Sequence, residues 1–211
     1  GIDFNGVDSG IDIENDEKFH FNPGDDFTIS LWANVSQSST ETSYLISKST
    51  TKTIIPSTYS HRNAPTTTYT TGSNQTKDVP SAPQFPFEVY STGNKVYFSR
   101  SDGDTTFTIN SPLSTGSMQH ITCRVTSSQL EIFINGVGSG ISGSETFERD
   151  TQNKANLYIG NKGGNGNFLS GSLSQINIYD KALTRTQILN HYSCSNSSPY
   201  VGNVFYESGI V

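Results

Sequence analysis

Phe27-Thr-Ile-Ser-Leu-Trp-Ala-Asn-Val35 is the stretch that most strongly indicates the fold class, because apolar residues alternate with mostly polar ones over nine positions. Successive side chains of a β-strand point to opposite faces, so the pattern predicts one strand of an antiparallel sheet. One face should lie in the core and the other should be open. Four residues are predicted to be almost wholly buried between sheets: Ile29, Leu31, Ile132 and Ile134.

The predicted open face carries Trp32, the only tryptophan of the chain. An aromatic plane among small polar residues is one way to build a platform on which a sugar ring stacks. An aromatic residue on a strand is more often a partly covered packing residue, and we favour that interpretation. The two interpretations differ in how much of the indole ring solvent reaches.

The composition fits one large all-β domain of 211 residues. Glycine (19), phenylalanine (12) and tyrosine (10) are abundant, as short strands joined by tight turns require. Only 15% of residues are charged and the net charge is −6, which argues against electrostatic binding to nucleic acid or anionic lipid. No apolar stretch approaches the ~20 residues of a membrane-spanning helix.

Strand candidates recur along the chain with turn signals between them. Turns such as Asn135-Gly136 join successive candidates as hairpins. Because nearly everything reads as strand at regular spacing, we predict a two-sheet antiparallel jelly-roll sandwich. The predicted strands are residues 2–5, 10–13, 26–35, 44–48, 87–91, 95–100, 105–110, 119–126, 129–134, 156–160 and 169–179.

One short helix is predicted over residues 184–192. Thr184-Arg-Thr-Gln187 fits a capping box, in which the threonine caps the helix and the glutamine reaches back to the backbone. Leu183 and Ile188 stand where a hydrophobic staple would form. We therefore assign residues 1–192 to the jelly roll and residues 193–211 to a C-terminal segment leading into a following region.

Residues 49–86 form a long insert rich in threonine, serine and proline. A connection of this length between neighbouring strands is usually a functional loop or a mobile one. We predict that it contacts a neighbouring subunit or a ligand, because arginine and tyrosine often anchor such surfaces. The candidate residues are Tyr59, His61, Arg62 and Tyr69.

The ordered motifs resemble the laminin-G-like, concanavalin-A-like jelly-roll superfamily in its pentraxin-like layout. They follow the family order over nearly all of residues 1–190. The resemblance implies two stacked antiparallel sheets, one of them with a concave face. The matching pieces are Ile2-Asp-Phe-Asn-Gly-Val-Asp8, Phe27-Thr-Ile-Ser-Leu-Trp32, Leu45-Ile-Ser-Lys48, Gln119-His-Ile-Thr122, Leu130-Glu-Ile-Phe-Ile-Asn-Gly136, Leu157-Tyr-Ile-Gly160, Gly171-Ser-Leu173 and Ile176-Asn-Ile-Tyr-Asp-Lys-Ala-Leu183.

Residues 196–211 are similar to a segment that follows such modules in structural proteins of marine tailed phages. This shorter resemblance implies a virion component, such as a fibre, an appendage or a capsid decoration. The expected location is then the virion surface, or more generally outside the cell. We also expect the module to be part of a homo-oligomer.

The sequence lacks the residues that catalysis in this superfamily needs. Sandwich glycosidases of the superfamily carry Glu-x-Asp-x-x-Glu on one strand, and no such triplet occurs here. The four histidines show no spacing typical of a zinc site or a Ser-His-Asp arrangement. We predict that the chain is not an enzyme, and a divergent glycosidase is the least favoured alternative.

A structural Ca²⁺ ion is the one cofactor that the resemblance implies, near the edge of the sandwich. Asn5 and Asp8 would supply oxygen ligands from the N-terminal part, and Asp180 would supply the late carboxylate. The late acidic pair of the family falls on Ser174 and Gln175, which carry no charge. We therefore lean towards a module without calcium.

Glycan binding requires an aromatic platform with amide and carboxylate groups that bond sugar hydroxyls. Trp32 and Asn34 are candidates on the strand quoted first, and three tyrosines on other strands, Tyr44, Tyr90 and Tyr97, are further candidates.

We read the chain as a non-catalytic recognition or assembly module of a larger structural protein, with a phage virion component as the first choice. Its partners would be other protein subunits of an assembly or a glycan. The alternative is a carbohydrate-binding module of a secreted or cell-surface protein.

Overall fold

The computed structural model describes residues 1–36, 41–49, 82–164 and 166–196. These residues form twelve strands, a 3₁₀ turn at Glu17–Phe19 and one α-helix, α1, at Arg185–Asn196. The strands are β1 (Ile2–Asn5), β2 (Ile11–Ile13), β3 (Phe27–Val35), β4 (Thr42–Ser47), β5 (Phe85–Thr92), β6 (Lys95–Ser101), β7 (Thr106–Pro112), β8 (Gln119–Thr126), β9 (Gln129–Ile134), β10 (Val137–Ser144), β11 (Leu157–Ile159) and β12 (Ser170–Tyr179).

The strands pair into two six-stranded antiparallel sheets. The first sheet has the order β1-β12-β3-β8-β9-β10, and the second has the order β2-β11-β4-β5-β6-β7. Most of the predicted strands lie within a few residues of the observed ones. The predicted two-sheet antiparallel sandwich is therefore confirmed.

Strand β10 was not predicted, because its sequence, Val137-Gly-Ser-Gly-Ile-Ser-Gly-Ser144, has no regular alternation and is rich in glycine, which strands generally avoid. It forms because the turn before it directs the chain back along β9. Asn135 and Gly136 have φ values of 52° and 79°, as a two-residue hairpin turn of the type I′ class requires. The hairpin then pairs Val137 with Ile134.

The core lies between the two sheets and is formed by the inward-facing rows of their strands. On β3 the inward row is nearly inaccessible, with Leu31 only 1% exposed. Ile29 and Ile132 are also wholly buried, as predicted. Ile134 is only partly buried, because it is the last residue of β9 before the turn. That one prediction is wrong in degree.

The outer face of the first sheet is covered rather than open, which corrects the prediction for β3. Thr28 and Ser30, which belong to that outward row, are 0% and 2% exposed. The segment before α1 and the helix itself lie over this row. The Thr28 hydroxyl, for example, donates to the Lys181 carbonyl and accepts from the Leu183 amide. Residues about 150 positions later in the sequence thus cover the strand.

The predicted capping box is present at the start of α1. The Thr184 amide donates to Gln187 Oε1 at 2.8 Å, and the Gln187 amide donates to Thr184 Oγ1 at 3.2 Å. Leu183 and Ile188 pack together with Phe133 of the first sheet. The helix runs four residues beyond the predicted end, to Asn196.

Arg100 on β6 is a charged residue that is completely buried. Its Nε donates to the Pro86 carbonyl at 2.8 Å, and its Nη2 donates to the Phe21 carbonyl at 3.0 Å. Its Nη1 forms an ion pair with Glu145 Oε2 at 2.5 Å. The guanidinium therefore joins three separate segments of the chain at one end of the core.

The two cysteines, Cys123 and Cys194, are both free, the first buried and the second exposed. In the part of the chain that the structure describes, no helix has the length and apolar character needed to cross a bilayer.

Candidate functional site

Trp32 and Asn34 lie on the covered face of the first sheet. Trp32 is 8% exposed, and its ring is 5.8 Å from that of Tyr192 on α1 and 5.2 Å from that of His120 on β8, between ring centroids. Asn34 is partly exposed, and its Oδ1 is buried without a hydrogen-bond partner among the described residues. Trp32 therefore has the surroundings of a packing residue, and the structure offers no open indole face.

The other predicted ligand-binding residues, Tyr59, His61, Arg62 and Tyr69, lie outside the described residues. Their predicted role in contacts stays a prediction.

The three residues predicted to hold calcium are not brought together. Asn5 Oδ1 accepts the amides of Val7, Asp8 and Ser9, and Asn5 Nδ2 donates to Asp8 Oδ1 at 2.7 Å. Asn5 pairs with Ser170 at the start of β12, whereas Asp180 follows the end of that strand, about 30 Å away at the usual strand rise. Within the described ranges, no group of three or more His, Cys, Asp or Glu side chains could hold a metal ion.

We expect the melting temperature to be the same in excess EDTA as in excess Ca²⁺. An ion that binds only the folded state would stabilise it by RT ln(1 + [Ca²⁺]/Kd), so the melting temperature would rise with the Ca²⁺ concentration. Differential scanning calorimetry in the two buffers checks this prediction. A lower melting temperature in EDTA, restored by Ca²⁺, would contradict it.

Three of the tyrosines named from the sequence form a continuous row on the outer face of the second sheet. Tyr44 on β4 is the register partner of Tyr90 on β5, which is in turn the partner of Tyr97 on β6. The ring centroids are 5.1 Å apart in the first pair and 5.0 Å apart in the second. We call Tyr44, Tyr90 and Tyr97 the tyrosine row.

The rings of the tyrosine row stand beside each other with their faces overlapping. Tyr90 and Tyr97 are parallel within 2° at a centroid distance of 5.0 Å, which is too short for two rings lying side by side in one plane. Tyr97 is partly exposed, and no further ring contacts it in the described part of the chain. Its outer face is turned towards β7, where its register partner Asn110 is exposed. An aromatic face and an amide are thus adjacent at this end.

An ion pair closes the other end of the row. Lys162 Nζ lies 2.8 Å from Glu88 Oε1, donates to the Tyr44 hydroxyl at 3.0 Å and sits 4.8 Å from the centroid of the Tyr44 ring. The Glu88 side chain is only 4% exposed, and its Oε1 also accepts a hydrogen bond from Ser49. The lysine and the glutamate therefore neutralise each other beside the aromatic stack.

The protonation states at this end follow from burial and from the pair itself. Burial alone would lower the pKa of Lys162, but the charge and hydrogen bonds of Glu88 and Tyr44 outweigh it, so the pKa is raised. Burial, reinforced by the Glu88 charge, also raises the pKa of the Tyr44 phenol. At neutral pH the lysine is thus charged and the phenol is neutral, so the Tyr44 ring keeps its negative π-face towards the cation.

Sequence reasoning named the tyrosines but missed Glu88 and Lys162. Glu88 stands two positions before Tyr90 on the same strand, so the alternation of β5 could have placed it on this face. Lys162 gave no such signal, because it lies in the loop after β11 and reaches the row only through the tertiary fold.

A family model matches most of the chain, and the family has the fold described above. The model described as the Concanavalin A-like lectin/glucanases superfamily (Laminin_G_3) matches residues 5–189. The chain belongs to this superfamily. The resemblance derived from the sequence motifs is thereby confirmed for the jelly roll.

Solved structures with the same fold include bacterial toxin binding domains. The binding domain of botulinum neurotoxin serotype G has a TM-score of 0.62 at 14% identity over 92% of this chain, and that of Paraclostridial Mosquitocidal Protein 1 has 0.61 at 16% over 91%. The binding domain of botulinum neurotoxin DC in complex with SialylT has 0.53 at 11% over 82%. The chain spans 42%, 42% and 36% of these structures, and at such identities the likeness shows the fold alone. No curated protein is similar enough to count as a match.

Two carboxylates on the outer face of the second sheet, Glu88 and Asp12, are farther apart than the catalytic pair of a glycosidase. Glu88 is the carboxylate beside the tyrosine row, and it is buried in its ion pair. Asp12 lies on the same face of the second sheet, but three strands away through β11 and β4, about 14 Å at the usual strand spacing. Glycosidases keep their two carboxyl groups about 5–9.5 Å apart. These two residues therefore do not form an acid/base pair.

His120 lies in the cluster of aromatic rings under α1. Its Nε2 is 2.8 Å from the Ser30 hydroxyl, and its Nδ1 is buried without a partner in the described part of the chain. Burial, with a smaller effect of the His191 charge, lowers the pKa of His120 to about 4. His120 is therefore neutral at physiological pH and has a structural role.

We expect this histidine to make the domain sensitive to acid. Between pH 6.5 and 4 the unfolded chain binds a proton at His120 that the folded protein does not, so the free energy of unfolding falls by up to about 3 kcal/mol as the pH decreases. Urea unfolding of the wild type and of His120→Gln at several pH values isolates this contribution, since all other groups are common to both. A difference in unfolding free energy between the wild type and His120→Gln that does not change with pH would contradict the prediction.

Proposed function

We propose that this superfamily member is a non-catalytic binding module that takes a glycan at the tyrosine row. The observation that carries the proposal is the partly exposed ring of Tyr97 with the exposed amide of Asn110 beside it. A pyranose ring can pack its C–H groups on the aromatic face while the amide bonds its hydroxyls. The stacking of Tyr90 behind Tyr97 holds the platform in a fixed orientation, which reduces the entropy lost on binding.

The spacing of the carboxylates supports a binding role without catalysis. Hydrolysis of a glycan bound at Tyr97 would require an acid and a base or nucleophile close to it. Glu88 is already neutralised by Lys162, and Asp12 is too distant to act with it. The toxin binding domains with this fold are consistent with a recognition role, by analogy of fold.

We further propose that the module belongs to a larger structural protein on the surface of a phage virion. The support for this setting is the resemblance of residues 196–211 to structural proteins of marine tailed phages. In that setting the insert at residues 49–86 would contact neighbouring subunits of a homo-oligomer. A secreted or cell-surface carbohydrate-binding protein is the alternative, and it uses the same glycan site.

We expect Tyr97→Ala to weaken glycan binding at least about tenfold, the loss of about 1.4 kcal/mol or more that a central aromatic contact typically gives. Tyr97→Phe should bind nearly as well as the wild type, because it keeps the ring face. An array of neutral and sialylated oligosaccharides identifies the ligand, and calorimetry on the best binder measures the affinities.

Tyr158→Ala is the matched control, because Tyr158 is a partly exposed tyrosine on the same sheet but outside the row. Its affinity should equal that of the wild type. The proposal fails if no oligosaccharide binds, or if Tyr97→Ala and Tyr158→Ala bind as tightly as each other.

A further inference from the structure

The four strands β4 to β7, which carry the tyrosine row, contain a single carboxylate. The chain as a whole has 19 aspartates and glutamates against 13 lysines and arginines. On these four strands, however, Glu88 is the only acidic residue. Glu88 is buried and neutralised by its ion pair with Lys162. The strands around Tyr97 therefore present no uncompensated negative charge, although the protein is acidic.

Lys95 adds a positive charge to the same surface. It stands two positions before Tyr97 on β6, so both side chains point to the outer face, whereas Val96 between them is wholly buried. Lys95 is exposed, and it forms no ion pair with any residue that the structure describes. Its register partners, Thr92 and Pro112, are uncharged. The ammonium group is therefore available to a ligand that contacts Tyr97.

The other acidic residues described around this face are too distant to offset Lys95. Glu41 precedes β4, two strands from Lys95 and about 10 Å away at the usual strand spacing. Asp102 and Asp104 follow the far end of β6, about 20 Å or more from Lys95 at the usual rise, and Asp104 is paired with Arg149. At physiological ionic strength, exposed charges more than about 8 Å apart are largely screened. Lys95 thus keeps the surface beside Tyr97 locally positive.

Tyr97, Asn110 and Lys95 lie within reach of one sugar residue. Asn110 is the cross-strand partner of Tyr97, so the two Cβ atoms are about 5 Å apart. Lys95 is about 7 Å from Tyr97 along β6, and its long, flexible side chain can carry the ammonium group towards a ligand on the ring. A sugar stacked on Tyr97 can therefore offer a hydroxyl to Asn110 and an anionic substituent to Lys95.

We propose that the glycan bound at the tyrosine row is acidic, with a carboxylate or sulfate group held by Lys95. This inference rests on the proposed glycan site and specifies the class of its ligand. An anionic oxygen gains a charge-assisted hydrogen bond from the ammonium group, and Glu88 does not repel it because Lys162 neutralises that carboxylate. Lysine acts as a point charge without the fixed fork of arginine, so the site accepts either kind of anion.

An oligosaccharide array in matched pairs tests the proposal. Each pair contains an acidic chain, either uronic-acid, sialylated or sulfated, and its carboxyl-reduced or desulfated form. We expect the wild type to bind at least one acidic chain about fivefold or more tightly than its uncharged form. This preference should shrink as the salt concentration is raised from about 0.05 M to about 0.5 M. The pair with the largest preference identifies the anion as a carboxylate or a sulfate.

Substitutions of Lys95 test its role in this preference. Lys95→Gln should weaken binding of the preferred acidic chain about three- to tenfold and leave binding of its uncharged form unchanged. Lys95→Glu should weaken binding of the acidic chain further, because it adds a repulsive charge. Lys154→Gln is the matched control, since Lys154 is an exposed lysine in the segment before β11. Calorimetry on the four proteins measures the affinities.

The results separate this inference from the glycan site on which it rests. Equal binding of the acidic and uncharged chains in every pair, with both still dependent on Tyr97, would overturn the acidic class and leave the glycan site in place. Equal affinities of Lys95→Gln and Lys154→Gln for the acidic chain would overturn the role of Lys95. The glycan site itself fails if no oligosaccharide of either kind binds.

Discussion

Replacing Arg100 with leucine is expected to lower the free energy of unfolding by about 3–5 kcal/mol, the usual cost of removing one partner from a buried ion pair. The substitution leaves the buried Glu145 carboxylate without its partner. It also removes the donors that the Pro86 and Phe21 carbonyls accept inside the protein. Urea unfolding followed by tryptophan fluorescence measures the loss.

Arg149→Leu is the matched control for this substitution. Arg149 pairs with Asp104 at 2.8 Å, but the two side chains are 23% and 42% exposed. Exposed ion pairs contribute about 0–1 kcal/mol, so the control should lose at most that amount. Equal losses for Arg100→Leu and Arg149→Leu would show that Arg100 does not hold the core together.

The pH dependence of the Arg100→Leu variant gives a second test. Burial raises the pKa of Glu145 to about 7 even though Arg100 opposes the shift. Without Arg100 this pKa should rise further, so the carboxyl is protonated in the folded variant over more of the pH range. A carboxyl whose pKa is raised in the folded state lowers the free energy of unfolding as the pH increases. The loss of unfolding free energy in Arg100→Leu, relative to the wild type, should therefore be smaller at pH 5 than at pH 8.

Leu31→Ala is expected to lower the free energy of unfolding by about 2–5 kcal/mol. Leu31 is 1% exposed and lies between the two sheets, so the shorter side chain leaves a cavity that neighbouring strands cannot fill without breaking their pairing. Leu189→Ala on α1 is the control, because Leu189 is 46% exposed and should lose much less. A loss below about 1 kcal/mol for Leu31→Ala would contradict the inward orientation of Leu31 on β3.

The fold could be predicted where local pattern and tertiary position agree. The alternation of β3 gives the inward row, but it cannot show that α1 covers the outward row. That covering depends on a helix encoded about 150 residues later. Strand β10 escaped prediction because its backbone pairing with β9, rather than any pattern of its own side chains, makes it a strand.

The candidate site was predictable only in part, for a similar reason. The turn at Gly93 and Asn94 pairs Thr92 with Lys95, which places Tyr90 opposite Tyr97 by counting back along the hairpin. Tyr44 cannot be placed by counting from a hairpin turn in this way, because the insert separates β4 from β5 in the sequence. The position of Lys162 requires the whole sheet order.

The two ends of the long insert meet the sandwich at points that are already fixed. Ser49, its first residue, bonds to Glu88 beside the tyrosine row, and the amide of Ala82, four residues before its end, donates to the Gly103 carbonyl at 2.8 Å. Strands β4 and β5, on either side of the insert, are paired directly with each other. A connection between two strands that are paired directly can change in sequence and length while the sheet keeps its pairing, so related modules can differ in this segment and keep one scaffold.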